Sequence, residues 1–307
     1  MNDSTLAINQ PRSEAAGELN DQNTAKPGNE EFDIWLEAGR IEKHYWLDLW
    51  RFRELFLILA WRDVAVRYKQ TLIGVVWSIL QPLLTMLIMS FVFGKLAGLH
   101  ADGNVPYPIL VFCGTLPWQF FAVAMTTSGQ SLVTNSSLVS KIYFPRMIIP
   151  ISSVVVALVD FSVSLLILAV MMVVFHILPT SHLLVLPLLL VLAFVTSLGP
   201  GLFITALNVR YRDFRFVLPF IIQFGLYLCP VGFSSLMIRE KIGDGLFLLY
   251  SLNPMVGVID GFRWAILGNA CKIFWPGFCL SVGVSLCLLA TGIWYFRKTE
   301  RTFADII

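Results

Sequence analysis

The chain has 307 residues, of which 57% are hydrophobic and only 14% are charged, and its net charge is +2. A soluble domain carries about a quarter charged residues, so a soluble globular enzyme is excluded. Charged residues are missing from 103 to 140 and from 161 to 209, whereas about 20 apolar residues suffice to cross a bilayer. Composition therefore predicts an all-α integral membrane protein.

The N-terminal segment 1–39 is acidic, with eight Asp and Glu residues against Arg12 and Lys26. Because it has too few apolar residues to bury a core, we expect a disordered cytoplasmic tail. It also lacks the basic start and apolar run of a secretory signal, so we expect no cleavage. The next segment, 40–71, mixes Trp, Phe and Leu with basic residues and is predicted to form an interfacial helix on the cytoplasmic leaflet.

A permease domain of six transmembrane helices is predicted over 72–296 from the uncharged windows between helix breakers. The expected spans are 72–94, 107–129, 148–177, 183–208, 215–236 and 274–296. The segments on one side of these spans hold fifteen Lys and Arg, and those on the other side hold five. Positive residues favour the inside, so both termini, including the C-terminal tail 297–307, are expected in the cytoplasm.

The connection between the fifth and sixth spans is long and apolar. Since an apolar loop is unfavourable in water, we expect short re-entrant helices on the external face. Asn253 and Pro254 form a helix-start signal there, because Asn caps free N–H groups and Pro fits the first turn. Together with Arg263 they are predicted to form an external gate, although a simple lid is also compatible with this segment.

Motifs for catalysis and cofactor binding are missing from the sequence. It contains no G-x-x-x-x-G-K-[ST] loop, so this chain is not expected to bind and hydrolyse ATP by a P-loop, no cofactor is expected on it, and any energy that is used must come from a partner. The four His residues lack ligand-like spacing, so no metal site is expected. A membrane glycosyltransferase or hydrolase would need a nucleophile with its base, and no such pair is evident. No nucleic-acid partner is expected.

Asp160 is the one Asp, Glu, Lys or Arg deep inside a predicted span. An intramembrane carboxylate is costly and therefore suggests function. A proton-coupled carrier would need such a group. The alternative, which we prefer, is that Asp160 hydrogen-bonds between helices or is held in a paired or protonated state.

Aromatic residues are dense in and near the spans. Most are expected in the core or at the membrane interface, but ring faces can also stack on sugars along a conduit, and composition does not separate these alternatives. The candidates for a channel lining are Trp77, Phe91, Trp118, Phe121, Phe224 and Tyr227.

Four motifs occur in a fixed order along residues 55–305. They are RDVAVRYKQTLIGVVWSILQPLLTMLIMSFVFGKLAG (62–98), SSLVSKIYFPRMIIP (136–150), LNVRYRDFRFVLPF (207–220) and SLNPMVGVIDGFRWAILG (251–268). Together they resemble the ABC transporter type-2 permeases that export bacterial polysaccharides such as O-antigen, capsule and teichoic acid. The acidic segment 1–39 departs from the compact family pattern.

The resemblance implies a homodimer in the inner membrane that pairs with two copies of an ATP-binding cassette subunit, and ATP and Mg²⁺ are bound by that partner subunit. It also implies a short coupling helix after the second span that contacts the ATPase. The residues expected at that contact are Leu138, Lys141, Tyr143, Phe144 and Arg146. For Lys141 and Arg146, positive-inside topology alone is an equal explanation.

The substrate implied by the resemblance is a glycan on an undecaprenyl diphosphate carrier, embedded among membrane lipids. A diphosphate needs cations at the cytoplasmic entrance, and Arg67 and Lys69 flank Tyr68 where the interfacial helix meets the first span. O-antigen export is the first interpretation, and capsule or teichoic acid export comes next. A drug or small-molecule exporter is the alternative within the class, and a proton-coupled carrier using Asp160 is the alternative outside it.

Overall fold

The computed structural model of the protein describes residues 45–69, 72–100 and 105–303, which form helices and connecting segments without a β-strand. The predicted tail 1–39 and the remaining residues lie outside the described ranges. The helices in chain order are α1 (Tyr45–Arg51), α2 (Arg53–Tyr68), α3 (Leu72–Met89), α4 (Tyr107–Thr134), α5 (Ser136–Lys141), α6 (Ile148–Val174), α7 (Leu186–Arg210), α8 (Phe214–Leu228), α9 (Ser235–Tyr250), α10 (Pro254–Leu267) and α11 (Trp275–Thr299). A π-helical turn, Ser90–Leu96, continues α3.

Five helical stretches of the described chain are long and apolar enough to cross a membrane. They are Val76–Leu96, Tyr107–Thr134, Ile148–Val174, Ser181–Arg210 and Trp275–Thr302. These stretches correspond to five of the six predicted spans, so the prediction of an all-α integral membrane protein is confirmed. A sixth would be added if α9 and α10, which meet at a 118° bend, were taken as one broken span.

The remaining predicted span, 215–236, corresponds to α8, which has 15 residues and is about 22 Å long. Near its start, Leu218 packs beside Gly129, close to the C-terminal end of α4. Beyond its end, the carbonyl of Gly232 accepts a hydrogen bond from the hydroxyl of Tyr107, the first residue of α4. Helix α8 and the segment that follows it therefore run antiparallel to α4 along most of its length.

Helices α9 and α10 form a hairpin at one end of the bundle. Helix α10 runs antiparallel to α11, since Gly257 lies beside Ser281 and Trp264 contacts Trp275. Ser281 also donates a hydrogen bond of 2.8 Å to the carbonyl of Ser251, in the turn between α9 and α10. Because Ser281 is six residues inside α11, that turn reaches about 9 Å down the bundle. The hairpin has the form of the predicted re-entrant helices.

The core forms around α4, most of which is buried by α6, α7 and α10. Helices α7 and α11 approach closely because they cross at Gly199 and Gly292, where a Cβ atom on Gly292 would collide with the carbonyl of Gly199. The hydroxyls of Thr196 and Ser285 are 2.8 Å apart across the same pair of helices. Small residues and hydroxyl hydrogen bonds of this kind are how apolar helices associate in a bilayer.

Candidate functional site

The C-terminal end of α2 meets the middle of α6 through an ion pair. Nη2 of Arg67 lies 2.6 Å from Oδ2 of Asp160, and the hydroxyl of Tyr68 donates a hydrogen bond to Oδ1. Asp160 is twelve residues after Ile148, about 18 Å along α6. The structure thus unites two sets of residues that the sequence indicated separately, the cations before the first span and the intramembrane acid. Lys69, the third residue of the predicted entrance, is exposed at the end of α2.

The two charged groups differ in their access to solvent. The Arg67 side chain is 36% exposed, whereas that of Asp160 is 14% exposed. Burial, together with the neighbouring Asp160 carboxylate, raises the pKa of Tyr68 above the usual value of a phenol. Tyr68 therefore stays protonated and acts as a hydrogen-bond donor. Asp160 has a cation and a hydroxyl as partners, the paired arrangement that we preferred over a proton relay.

A narrow cleft lined by both polar and apolar side chains adjoins this ion pair. Its walls come from α2, α3, α4 and α6, and its polar lining includes Ser78, Gln81, Gln119 and Ser164. The amide of Gln81 donates to the side-chain oxygen of Gln119 at 3.4 Å. Hydroxyl, amide and guanidinium groups can together bind a phosphate or sugar hydroxyls. Our sequence analysis missed these four residues, although amide side chains inside apolar spans are a usable signal.

The predicted coupling segment consists of α5 and the residues that lead into α6. Lys141 and Tyr143 are exposed, and so is Ile142 between them. Leu138 is half-buried, and Phe144 is buried in the core. The segment therefore presents an exposed ridge of three residues, 141–143, of which the sequence indicated two.

Arg146, the last predicted coupling residue, is bonded within the chain. Its backbone N–H donates to a carboxylate oxygen of Glu300 at 2.8 Å, and its guanidinium donates to the Glu300 carbonyl. The hydroxyl of Tyr45 in α1 also donates to this carboxylate. Glu300 thus joins the start of the interfacial region, the coupling segment and the end of α11. Its role was not apparent from the sequence.

A hydrogen bond connects α2 to the residue that precedes the coupling segment. Nη2 of Arg62 donates to the side-chain oxygen of Asn135, the residue between α4 and α5, at 2.7 Å. The same guanidinium pairs with Asp63 at 2.7 Å. Since Arg62 lies only one to two turns before Arg67, α2 contacts both the coupling segment and the cleft.

Arg263, predicted at an external gate, is 2% exposed. Its guanidinium donates to three backbone carbonyls, from Nε to Leu110 at 3.3 Å, from Nη1 to Phe233 at 2.8 Å and from Nη2 to Val231 at 2.9 Å. It therefore connects α10 with α4 and with the segment between α8 and α9. A role in gating stays a prediction.

The predicted start of α10 is confirmed by its geometry. The Asn253 side-chain oxygen accepts a hydrogen bond of 3.1 Å from the backbone N–H of Met255, and Pro254 is the first residue of the helix. The Asn253 amide also donates to the sulfur of Cys229 at 3.2 Å. These contacts fix the turn of the hairpin against the end of α8, and the gate role of Asn253 and Pro254 stays a prediction.

The six candidate channel aromatics fall into two groups. Trp77 and Phe91 on α3, and Phe224 and Tyr227 on α8, are exposed on the protomer. The other two pack inside it. Trp118 is buried, with its indole against Gly225 of α8, and its ring centroid is 5.4 Å from that of the half-buried Phe121.

Exposed aromatics on α8 extend beyond the two that the sequence indicated. Phe216 and Phe220 are also exposed, and with Phe224 and Tyr227 they follow helical spacing along one face. We call these four residues the α8 aromatic stripe. Their i, i+4 spacing in the sequence was a signal for a shared face.

Long apolar helices and a hairpin that returns to the end where it began are the features of a multi-pass membrane protein. The model of the ABC-2 type transporter family matches residues 54–267, more than half of the chain. The chain belongs to this family. Family membership confirms the resemblance seen in the four sequence motifs and assigns ATP hydrolysis to a separate subunit.

Curated relatives match over most of their lengths. The O-antigen export system permease protein RfbA of Klebsiella pneumoniae is 26% identical over 255 residues, which cover 83% of this chain and 95% of the relative. RfbA of Myxococcus xanthus is 26% identical over 261 residues, covering 85% and 98%. The polysialic acid transport protein KpsM of Escherichia coli is 23% identical over 235 residues, covering 75% and 84%.

Proposed function

We propose that this chain is the permease subunit of an ATP-driven exporter that moves a polysaccharide on an undecaprenyl diphosphate carrier across the inner membrane. O-antigen is the first candidate for the cargo, because relatives named for O-antigen export align over nearly their whole length. The observation that carries the proposal is the partly exposed Arg67 guanidinium, which lines a cleft between α2 and the membrane spans beside Asp160.

The active unit in this proposal is a homodimer with two ATP-binding cassette subunits. Both termini face the cytoplasm, since the more basic set of connecting segments then lies inside. The Asn135 end of α4 is accordingly cytoplasmic, and the Tyr107 end, where Arg263 and the α9–α10 hairpin lie, is external. The hairpin is thus placed where it can act as a gate.

The lipid diphosphate binds at the end of α2. An arginine fork matches phosphate oxygens with two parallel hydrogen bonds, and Arg67 supplies this fork inside the cleft. The Tyr68 hydroxyl holds Asp160 beside this arginine, and the exposed Lys69 supplies a second positive charge at the mouth. Gln81 and Gln119 line the same cleft, where they can bond the first sugar hydroxyls.

Coupling to ATP begins at the exposed ridge 141–143. Tyr143 and Ile142 provide apolar contact area for the ATP-binding subunit, and Lys141 provides charge. A displacement of this ridge reaches α2 through the bond between Arg62 and Asn135. The same motion would therefore shift Arg67 and Tyr68 at the cleft and link ATP binding to movement of the lipid head group.

The glycan then follows the exposed aromatic faces. The α8 aromatic stripe and the exposed Trp77 and Phe91 of α3 form apolar ring surfaces that sugars can stack on. In a dimer these faces line the seam between the protomers. Such stacking tolerates different sugars, which suits a polymer that slides along the surface.

Deletion of the gene tests the cargo. We expect surface polysaccharide to fall while lipid-linked glycan accumulates inside the cell, because synthesis continues without export. Both pools are measured by gel and mass spectrometry and are restored by the wild-type gene. Unchanged glycan in both pools would contradict the proposal and would make a drug or small-molecule exporter the preferred interpretation.

Substitution of Tyr143 tests the contact with the ATPase. Tyrosines at the centre of an interface often contribute about 2 kcal/mol or more, so Tyr143→Ala should weaken co-purification of the ATP-binding subunit about tenfold or more. Ser140→Ala on the same exposed turn is the matched control and should leave co-purification unchanged. Equal recovery of the subunit with both variants would exclude Tyr143 from the contact.

A further inference from the structure

The cation in the cleft is already neutralised when no substrate is present. Arg67 contacts the Asp160 carboxylate at 2.6 Å, and a carboxylate and a phosphate engage the same guanidinium fork with the same geometry. A diphosphate that enters the cleft must therefore compete with Asp160 for Arg67. The competing carboxylate is on α6, whereas the cation is on α2.

We propose that Asp160 is a resident counter-ion that holds Arg67 while the cleft is empty and that the diphosphate of the lipid-linked substrate displaces. This inference rests on the proposed function. Because Arg67 is partly exposed, its pairing with Asp160 stabilises the protein only weakly, and a ligand with more negative charge can outcompete this carboxylate. The substrate, with more charge than one carboxylate, replaces it in an exchange of partners without a covalent step.

The surroundings of the pair suit such an exchange. Arg67 is 36% exposed at the edge of the cleft, so an incoming phosphate can reach its guanidinium from the solvent-accessible side. Asp160 keeps a partner after the exchange, because the Tyr68 hydroxyl donates to its other oxygen, Oδ1. The released carboxylate therefore remains hydrogen-bonded inside the protein.

The exchange also has a mechanical consequence. The Arg67–Asp160 pair ties α2 to α6, and the Arg62–Asn135 bond ties α2 to the coupling segment. When phosphate replaces Asp160, the ionic contact between α2 and α6 is lost, whereas the Tyr68–Asp160 hydrogen bond and the Arg62–Asn135 bond remain. Occupancy of the cleft by a head group would thus loosen α2 on α6 and become detectable at the surface that contacts the ATPase.

The chain offers a matched control for the test. Arg239 and Asp244 on α9 form an ion pair whose closest N–O distance is also 2.6 Å. This pair is exposed and lies outside the residues that line the cleft. Asp244→Asn removes the same charge from the same kind of pair, so it controls for the general effect of a lost carboxylate.

The experiment measures binding of the bare carrier lipid. The full-length chain is reconstituted in phosphatidylcholine nanodiscs and titrated with undecaprenyl diphosphate or with uncharged undecaprenol, and bound lipid is counted by native mass spectrometry. Asp160→Asn should bind undecaprenyl diphosphate about fivefold tighter than the wild type, the scale of a partly exposed ion pair. Asp160→Asn should bind undecaprenol as the wild type does. Asp244→Asn should bind both lipids as the wild type does.

Two further variants complete the cycle. Arg67→Gln should bind undecaprenyl diphosphate more weakly than the wild type. The double variant Arg67→Gln/Asp160→Asn should bind it no more tightly than Arg67→Gln alone, because no Arg67 guanidinium is left for the substitution at 160 to release. Thermal unfolding of each variant confirms that the protein is folded. Unchanged or weaker binding by folded Asp160→Asn overturns the exchange, as does an equal gain with undecaprenol or with Asp244→Asn.

The result is separable from the cargo test. Tighter lipid binding by Asp160→Asn, combined with unchanged glycan after gene deletion, would keep the exchange and reject polysaccharide export. Loss of surface glycan after deletion, combined with no gain in Asp160→Asn, would keep polysaccharide export and reject the exchange.

Discussion

Two arginines enter the helical bundle of this permease, and their environments are opposite. Arg263 is 2% exposed and donates to three backbone carbonyls, which cannot move without unfolding the helices and turns that carry them. Arg67 is 36% exposed and pairs with one carboxylate at the edge of a cleft. The first arginine is held by fixed acceptors, and the second by a side chain that can release it.

This difference separates a structural charge from an exchangeable one. Buried carbonyls that lose their donor have no replacement, so Arg263 stabilises the packing of α10 on α4. Asp160 retains the Tyr68 hydroxyl when Arg67 leaves. A ligand can therefore replace Asp160 at Arg67, whereas no ligand has access to Arg263 within the protomer.

The largest effect is expected from Arg263→Leu. Each buried carbonyl left without a donor costs about 1–3 kcal/mol, so the free energy of unfolding should fall by at least about 3 kcal/mol. The measurement is thermal unfolding in detergent followed by size-exclusion chromatography. Arg239→Leu, at a partly exposed arginine that pairs with Asp244 and lies over the Phe274 ring, is the control and should lose far less stability than Arg263→Leu, because such a pair contributes little. An Arg263→Leu protein as stable as the wild type would contradict a structural role for Arg263.

Lysine substitutions at positions 263 and 67 test the same difference between a structural and an exchangeable arginine. One ammonium group cannot reach three carbonyls on separate segments, so Arg263→Lys should lose about 1–3 kcal/mol of stability. Arg67→Lys keeps a charge in the open cleft, so it should remain fully stable and should lose less than about tenfold in export, through the missing second hydrogen bond to phosphate. The opposite pattern, with instability at position 67, would show that Arg67 is the structural cation.

The smallest effect on stability is expected from Asp160→Asn. A partly exposed ion pair contributes about 1 kcal/mol or less, and the amide oxygen introduced by this substitution can still accept a hydrogen bond from Tyr68. Thermal unfolding should therefore stay close to that of the wild type. A loss of several kcal/mol in the free energy of unfolding, comparable to that of Arg263→Leu, would show that Asp160 is a structural residue and not an exchangeable counter-ion.

Sequence patterns predicted the long spans well because uninterrupted apolar runs leave few alternatives in a membrane. The second span was expected at 107–129 and is the first part of α4, Tyr107–Thr134. The fifth was expected to reach 236, but α8 ends at Leu228. Pro230 disfavours helical backbone at Cys229, which is extended. This stop signal is local and was available in the sequence.

The sequence indicated the main residues of the site but not the contact between them. Arg67 and Asp160 each attracted attention because a cation beside the first span and an acid inside a span are both unusual. Their contact joins residues 93 positions apart and depends on how α2 packs on α6, which periodicity does not encode. The same holds for Arg263, since an arginine in an apolar connection fits a gate until its three carbonyl partners are known.

The most direct test of the exchangeable cation is export by the neutral pair Arg67→Gln/Asp160→Asn. Asn has the size of Asp, and Gln, although shorter than Arg, keeps hydrogen-bonding groups at a partly exposed position, so the protein should unfold close to the wild-type temperature. Surface polysaccharide in the complemented deletion strain should nevertheless fall to about a tenth or less of the wild-type level, because the cation for the lipid diphosphate is gone. Wild-type amounts of surface polysaccharide would show that the ion pair only joins α2 to α6, and would contradict the account.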